Sequence, residues 1–311
     1  MRAVRVEHVG GPDVMNVVEV PVPERGQGLS LVRVLHAGVN FIDVYHREGA
    51  YPLPLPTGLG LEGVGIDEVT GERIAWCSTL GSYAEYVAVP RHAAVVVPDS
   101  VPDDIAAAAL LQGMTAHYLV TSVHAIKPGD VALVHAAAGG VGLLLTQMIK
   151  ARGGTVIATV STPGKAQAAT AAGATHVIGY EDIAESVREL TDGLGVHVAY
   201  DGVGKATFDQ SLAAMRKRGM LALFVAASGQ PEPFVLARLA GAGSISVCRP
   251  TLGDYTATPE ELQWRAREIF DAYLAGTLNF AIGGVYDLDD VAQAHRDLEA
   301  RKTSGKLLLR M

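Results

Sequence analysis

The chain has 311 residues, 49% of them hydrophobic and 19% charged, with 25 Lys and Arg against 33 Asp and Glu for a formal net charge of −8. That length exceeds the roughly 250 to 300 residues at which single cores stop growing, so two domains are expected. The acidic balance argues against nucleic acid as a partner. The apolar run Ile105 to Leu111 in the middle of the chain falls far short of the roughly 20 residues of a membrane helix, so no membrane span is expected. The opening MRAVRVEHVG has no apolar core of a signal peptide and reads as a first strand, which points to a cytoplasmic protein. Cys77 and Cys248 lie in no CxxC pair and are expected to be buried thiols.

From Met1 to about Pro98, short β-branched runs alternate with turn residues: Ala3 to Val6, Val17 to Val20, Leu31 to Leu35, Tyr86 to Val89 and Ala93 to Val97. This spacing predicts an irregular, mostly antiparallel β domain. The stretch YPLPLPT at Tyr51 to Thr57 lacks regular backbone donors and reads as a loop. Helix is expected only after Pro102, where Asp103 and Asp104 open an Ala/Leu-rich stretch reaching about His124. Six apolar runs then alternate with helical stretches: Val131 to His135, Thr155 to Val160, His176 to Ile178, His197 to Tyr200, Met220 to Val225 and Ser244 to Val247. Several of the helices close on Gly153, Gly173, Gly193 and Gly219, and the alternation predicts a parallel sheet covered on both faces. The run Arg216-Lys217-Arg218 reads as the cationic end of a helix. A helix over Pro259 to Gly276, an extended piece to Tyr286, a helix from Asp289 to Arg301 and a strand at Lys306 to Leu309 complete the chain, the tail packing back onto the first domain.

The most informative segment is VALVHAAAGGVGLLLTQMIKARGG, Val131 to Gly154, a strand, a glycine turn and a helix. In a GxGxxG frame the positions fall on Ala137, Gly139 and Gly142, so the first glycine is replaced. The middle glycine admits a pyrophosphate, the last lets helix pack on strand, and the helix start offers amides and a positive dipole end. An NAD enzyme carries an acid at the end of the second strand, but here Ser161-Thr162-Pro163-Gly164-Lys165 follows Val160. A hydroxyl and a lysine suit the 2′-phosphate of NADP. Ten histidines without HxxxH or HxxxxH spacing and two isolated cysteines give no zinc site, and neither GxSxG nor GxxxxGK[ST] occurs. Hydride chemistry is the leading class.

The stretch GVNFIDVYHREGAYPLPLPTGLGLEGVG (Gly38 to Gly65), the loop HAAAGGVG (His135 to Gly142) and the ending TSGKLLLR (Thr303 to Arg310) resemble the quinone oxidoreductase, or ζ-crystallin-like, branch of the zinc-free medium-chain dehydrogenases/reductases. The likeness runs through almost the whole chain. It implies an α/β protein in which residues 1–115 and 252–311 form a GroES-like catalytic domain and 116–251 a Rossmann doubly wound parallel sheet domain that binds NADP(H). Zinc-dependent relatives carry cysteine where Asn40 stands and histidine where Leu61 stands, which implies a metal-free enzyme. By the same likeness Ser161, Lys165 and Tyr180 contact the 2′-phosphate, and Ala138, Gly139, Gly140 and Val141 lie under the pyrophosphate. Thr115, Phe224 and Val225 lie near the nicotinamide, and Asn40, Tyr45 and Tyr51 line the substrate side. The segment GVGIDEVTGERIAW departs from relatives by a shortened hairpin near Ile66 to Arg73.

The expected activity is NADPH-dependent hydride delivery to a quinone or similar conjugated carbonyl acceptor, without metal or flavin. Donors such as the Asn40 amide or a tyrosine hydroxyl would meet the charge developing on oxygen. The proton would come from Tyr45, Tyr51 or water. An enone or enoyl-thioester reductase is the nearest alternative, and a non-catalytic, crystallin-like NADPH-binding protein is the alternative of another class. The strand Ser244 to Val247 suggests a homodimer paired across a sheet edge.

Overall fold

The computed structural model describes residues 1–300 and 303–311. The chain divides into two compact units, one made of Met1–Met114, Thr256–Gly276 and Phe280–Met311, the other of Thr115–Tyr255 and Thr277–Asn279. Among the described residues no helix is long and apolar enough to cross a membrane.

The first unit begins with β1 (Arg2–Val6), antiparallel to β2 (Met15–Glu19). Then come β3 (Leu29–Val39), α1 (Phe41–Glu48), β4 (Glu62–Asp67), β5 (Arg73–Trp76), β6 (Tyr86–Pro90) and the short β7 (Val95–Val96). Helix therefore starts much earlier than the composition suggested. The eight residues of α1 are held by their ends: Asn40 is extended, Asp43 at the third helical position accepts from the Asn40 backbone N–H at 2.8 Å, and Gly49 closes the helix at φ 79°. The hairpin between β4 and β5 turns on Asp67, whose Oδ1 accepts from the Val69 and Thr70 amides.

The chain passes into the second unit within α2 (Asp103–Tyr118), which ends in a wider π-type turn at Leu119–Val123. There follow β8 (Val131–Val134), α3 (Gly140–Ala151), β9 (Thr155–Thr159), α4 (Pro163–Ala171), β10 (His176–Ile178), α5 (Ile183–Glu189), β11 (Val196–Asp201), α6 (Phe208–Ala214), β12 (Met215–Leu223), α7 (Ala237–Gly241) and β13 (Ser246–Cys248). The strands form a six-stranded parallel sheet in the order β10-β9-β8-β11-β12-β13, a doubly wound Rossmann arrangement whose order reverses between β8 and β11. Leu133, Ile157, Ala199 and Leu221 of the strands pack with Ile183, Val187, Phe208 and Leu212 of the helices. Arg216, Lys217 and Arg218 lie in β12, not at a helix end, because α6 stops at Ala214 and the strand starts five residues before Met220; Gly219 is likewise inside the strand. The register with β11 shifts there and Arg218 sits at φ 62°.

The tail, α8 (Pro259–Leu274), β14 (Ile282–Asp287), α9 (Val291–Glu299) and β15 (Lys306–Arg310), returns to the first unit. The end of the last helix expected at Arg301 lies outside the described residues. Buried Leu262, Ala266, Ile269 and Phe270 form the inner face of α8. β15 pairs with β3, completing a seven-stranded sheet in the order β14-β15-β3-β4-β5-β7, with β6 also on β3. Cys77 is buried, whereas Cys248, on the edge strand β13, is only half-buried.

Candidate active site

In the second unit, β8 delivers the chain into a turn with Ala136 at φ 49°, and Gly139 then caps α3. A Cβ on Gly142 would lie 2.4 Å from the Ala136 carbonyl oxygen and 2.7 Å from the Ala137 Cα, so the last glycine is what lets the helix sit directly on the turn. Leu143 is received by the Gly139 carbonyl, which leaves the Gly140, Val141 and Gly142 amides ahead of the first intrahelical bond of this kind. Three leading amides and a dipole end beside a backbone with no side chain in the way fit a pyrophosphate.

Beneath this turn lies a buried chain of polar groups that the sequence reading did not single out. Asp201, at the end of β11, accepts from the Val203 and Gly204 amides, from Thr207 Oγ1 and from Ser211 Oγ. Ser211 has thus committed its proton, so it accepts from His135 Nε2 at 2.8 Å, and His135 Nδ1 in turn accepts from Thr159 Oγ1 at 2.9 Å. Burial pulls the His135 pKa down, against the nearby Asp201 charge, in keeping with this neutral tautomer. The signal available in the sequence was positional: His135 and Asp201 stand at the carboxyl ends of the two strands that flank the switch point.

Tyr180 lies over this chain, its ring stacked on His135 at a centroid distance of 6.3 Å. Its hydroxyl accepts from the Ala136 amide at 3.1 Å, so its proton remains to be donated outward. Ser161 is exposed just after β9, and Lys165 lies in the first turn of α4, whose cap Thr162 accepts from the Lys165 amide. Ala138 is buried at the turn, and Thr115 is buried in α2. Phe224 and Val225 follow β12, with the Phe224 amide donating to the Asp201 carbonyl.

The first unit carries a second constellation. Glu62 opens β4 opposite Gly38 of β3, and Lys306 opens β15 on the other side. The Lys306 ammonium lies 2.5 Å from Glu62 Oε2 and 2.6 Å from Asn40 Oδ1, and all three side chains are buried. Asn40 Nδ2 donates to the Gly38 carbonyl at 3.2 Å and to Glu62 Oε2 at 3.1 Å. Both amide hydrogens are therefore engaged inside the protein, which leaves none for the oxyanion donation expected of Asn40 from the sequence.

Asp43 is fully buried, and its Oδ2 also accepts from Tyr83 Oη at 2.7 Å. Burial pushes this carboxyl up to about 7, against the downward pull of those hydrogen bonds and of Lys306. Tyr83 approaches His295, which burial and the Arg47 guanidinium hold down at about 3. Arg47 bonds Glu299 and Glu48. Along α1, Tyr45 is half-buried and its ring packs on Phe41 at 6.0 Å and on the ring of Tyr51, 36% exposed, at 5.1 Å.

The description Zinc-binding dehydrogenase matches residues 140–267. A quinone oxidoreductase of Pseudomonas aeruginosa is 42% identical, over 96% of each chain. The chain belongs to the quinone oxidoreductase family of medium-chain dehydrogenases/reductases. A 2-haloacrylate reductase of a Burkholderia species is 40% identical, again over 96% of each chain. The crystal structure of Escherichia coli quinone oxidoreductase complexed with NADPH superposes with a TM-score of 0.97 at 37% identity, covering 100% of both chains. The largely antiparallel unit is thus the GroES-like part of an oxidoreductase fold, and the parallel-sheet unit is its Rossmann part. Although the matched description names zinc, among the described residues no group of three or more His, Cys, Asp or Glu is placed to hold a metal ion. The Lys306 ammonium already lies against the oxygens of Asn40 and Glu62.

Proposed function

We propose that this chain is an NADPH-dependent reductase of quinones that works without a bound metal. The observation that carries the reading is the cradle at Gly139 to Gly142 joined to a second-strand end that has Ser161 and Lys165 and no acid. When bound, NADPH supplies hydride to the acceptor.

The residues of the second unit do the holding. The amides of Gly140 and Val141 receive the pyrophosphate, with Ala138 and Gly139 beneath it. Lys165, Ser161 and the outward proton of Tyr180 receive the 2′-phosphate, whose double charge an ammonium and hydroxyls match. Thr115, Phe224 and Val225 border the nicotinamide. The neutral His135 chain holds the turn in its φ-positive shape, so the cradle is formed before the cofactor arrives.

On the acceptor side, Tyr45 and Tyr51 provide hydroxyl donors from a packed ring pair. Each offers an O–H to an oxygen that gains negative charge and is a route for the proton that completes a hydroquinone. Asn40 serves by shaping the start of α1. A second reading, reduction of a conjugated alkene acid, is favoured by the likeness to a 2-haloacrylate reductase. The edge strand β13 is the place where a second copy would pair in a homodimer.

The test is NADPH oxidation by the purified protein against a panel of benzoquinones, enals, enoyl-thioesters and 2-haloacrylate, with and without prolonged chelation. Turnover with a quinone that survives chelation supports the reading. No turnover with any acceptor sinks it, leaving a cofactor-binding protein, and loss on chelation that zinc restores sinks the metal-free part.

A further inference from the structure

We propose that Lys306 is a positioning residue of the acceptor side: its ammonium fixes the Asn40 amide and, through it, the start of the helix that carries Tyr45. The inference rests on the reading that α1 receives the acceptor.

The geometry begins at Gly38. In the sheet this residue stands between Glu62 of β4 and Leu308 of β15. The Glu62 and Lys306 side chains meet across the strand above it, where a Cβ would lie 2.4 Å from Glu62 Oε2 and 2.8 Å from Lys306 Nζ. Only a bare backbone lets this ion pair bridge β3. Two residues on, the Asn40 amide has one orientation compatible with its surroundings. Its oxygen faces the ammonium at 2.6 Å, which forces its nitrogen toward the Gly38 carbonyl and the Glu62 carboxylate. Turned over, the amide would place hydrogens against the ammonium.

Asn40 is also the last extended residue before α1, at φ −134° and ψ 155°, and its backbone N–H is bound by Asp43 one turn into the helix. The direction in which α1 leaves the sheet is therefore set at a residue whose side chain Lys306 holds. The helix then presents Tyr45, against whose ring Tyr51 packs.

Stability alone does not call for this arrangement. A buried ion pair replaced as a whole by well-packed apolar groups is often no less stable. What the triad provides, and apolar side chains would not, is a fixed direction for the amide at the foot of the helix. Glu62 Oε1 further accepts from the Leu111 amide of α2 at 2.7 Å, so the carboxylate itself cannot swing to follow a displaced partner without breaking that bond.

The experiment compares the full-length wild type with Lys306→Met and with Lys306→Met/Glu62→Gln, the second change removing the carboxylate charge that the first strands. Four quantities are measured: thermal midpoint, NADPH dissociation constant, steady-state kinetics with 1,4-benzoquinone, and hydrogen exchange of the α1 amides. The single variant is expected to be strongly destabilised. The double variant should recover much of the midpoint and bind NADPH like the wild type, yet keep a kcat/KM for the quinone about tenfold low and exchange its α1 amides about tenfold faster. A double variant with wild-type quinone kinetics and unchanged α1 exchange would show that Lys306 only neutralises Glu62, and would overturn the proposal. Should the wild type reduce no acceptor at all, the proposed activity fails and the exchange measurement decides alone. Faster α1 exchange in the folded double variant then supports the clamp, and unchanged exchange overturns it.

Discussion

The buried polar groups of the two units are built from different material. In the first, charged side chains from distant parts of the chain meet: Glu62 with Lys306 across 244 residues, and Arg47 with Glu299 across 252. In the second, a single carboxylate, Asp201, is saturated within ten residues by two amides and two hydroxyls, and the chain continues through neutral groups to His135. A network of the first kind fails when one partner is lost, because the other is left charged in the interior. One of the second kind loses a bond at a time. The first arrangement ties elements distant in the chain together, and the second shapes a single turn.

The largest expected effect follows from that contrast. Glu62→Leu strands the Lys306 ammonium and should cost the first unit about 3 to 5 kcal/mol. Asp201→Asn keeps an oxygen for the backbone amides and should cost the second about 1 to 3 kcal/mol. Hydrogen exchange in urea, read separately in each unit, measures both, and equal losses would break the comparison.

Next comes pH. The Asp43 carboxyl, raised to about 7 in the fold, contributes stability that is fully present below its unfolded value of 3.8 and is lost as pH rises through about 7. The advantage of wild type over Asp43→Asn should accordingly shrink by about 3 kcal/mol between pH 4 and 7. His295, lowered to about 3, acts with the opposite sign: its contribution is present above 6.5 and is lost as pH falls toward 3. Denaturation midpoints across this window should then be flatter for the wild type than for either Asp43→Asn or His295→Gln. A wild-type advantage over Asp43→Asn that does not change with pH would refute the buried, titrating carboxyl.

A pair of glycines sharpens the comparison further. Gly38→Ala and Gly142→Ala each place a Cβ 2.4 Å from an oxygen, the first on the Glu62 carboxylate and the second on the Ala136 carbonyl. Each overpacking should cost about 1 to 3 kcal/mol. Titration should find NADPH affinity lowered by Gly142→Ala and unaffected by Gly38→Ala, and the reverse pattern would contradict the assignment of the cradle. The smallest effect is cofactor choice. NADPH should bind at least about tenfold more tightly than NADH, roughly 1.4 kcal/mol, and Lys165→Ala should narrow that gap. Equal affinities in the unmodified protein would remove Lys165 from the site.

The second unit was readable in the sequence because its logic is local. A strand, a glycine turn and a helix sit within Val131 to Gly154, and Gly142 packs where its place in the pattern requires. The resemblance supplied Tyr180, which lies at that turn, its hydroxyl on the Ala136 amide. The first unit was legible as strands but not as a network. Nothing along the chain says that Lys306 meets Asn40, 266 residues away, and Gly38 looks like any other glycine until the side chains that cross it are seen. Helix α1 escaped for a related reason. Its eight residues are too few for a long apolar rhythm, and it is held by Asp43 reaching back to Asn40. Asp201 and Ser211 escaped because an acid and a serine at those spacings match no pattern and acquire meaning only through the parallel strands that gather them.

The distance between Glu62 and Lys306 also has a meaning in time. A ribosome adding about 5 to 20 residues per second needs roughly 12 to 50 s to pass from one to the other. During that interval β4 and β3 exist without β15, and Glu62 has no ammonium to meet. The parallel sheet of the second unit, by contrast, has all six of its strands translated before β15 begins. Every strand of the Rossmann sheet has thus been made before the strand that brings Glu62 its ammonium, so the seven-stranded sheet of the first unit is completed only at the end of synthesis.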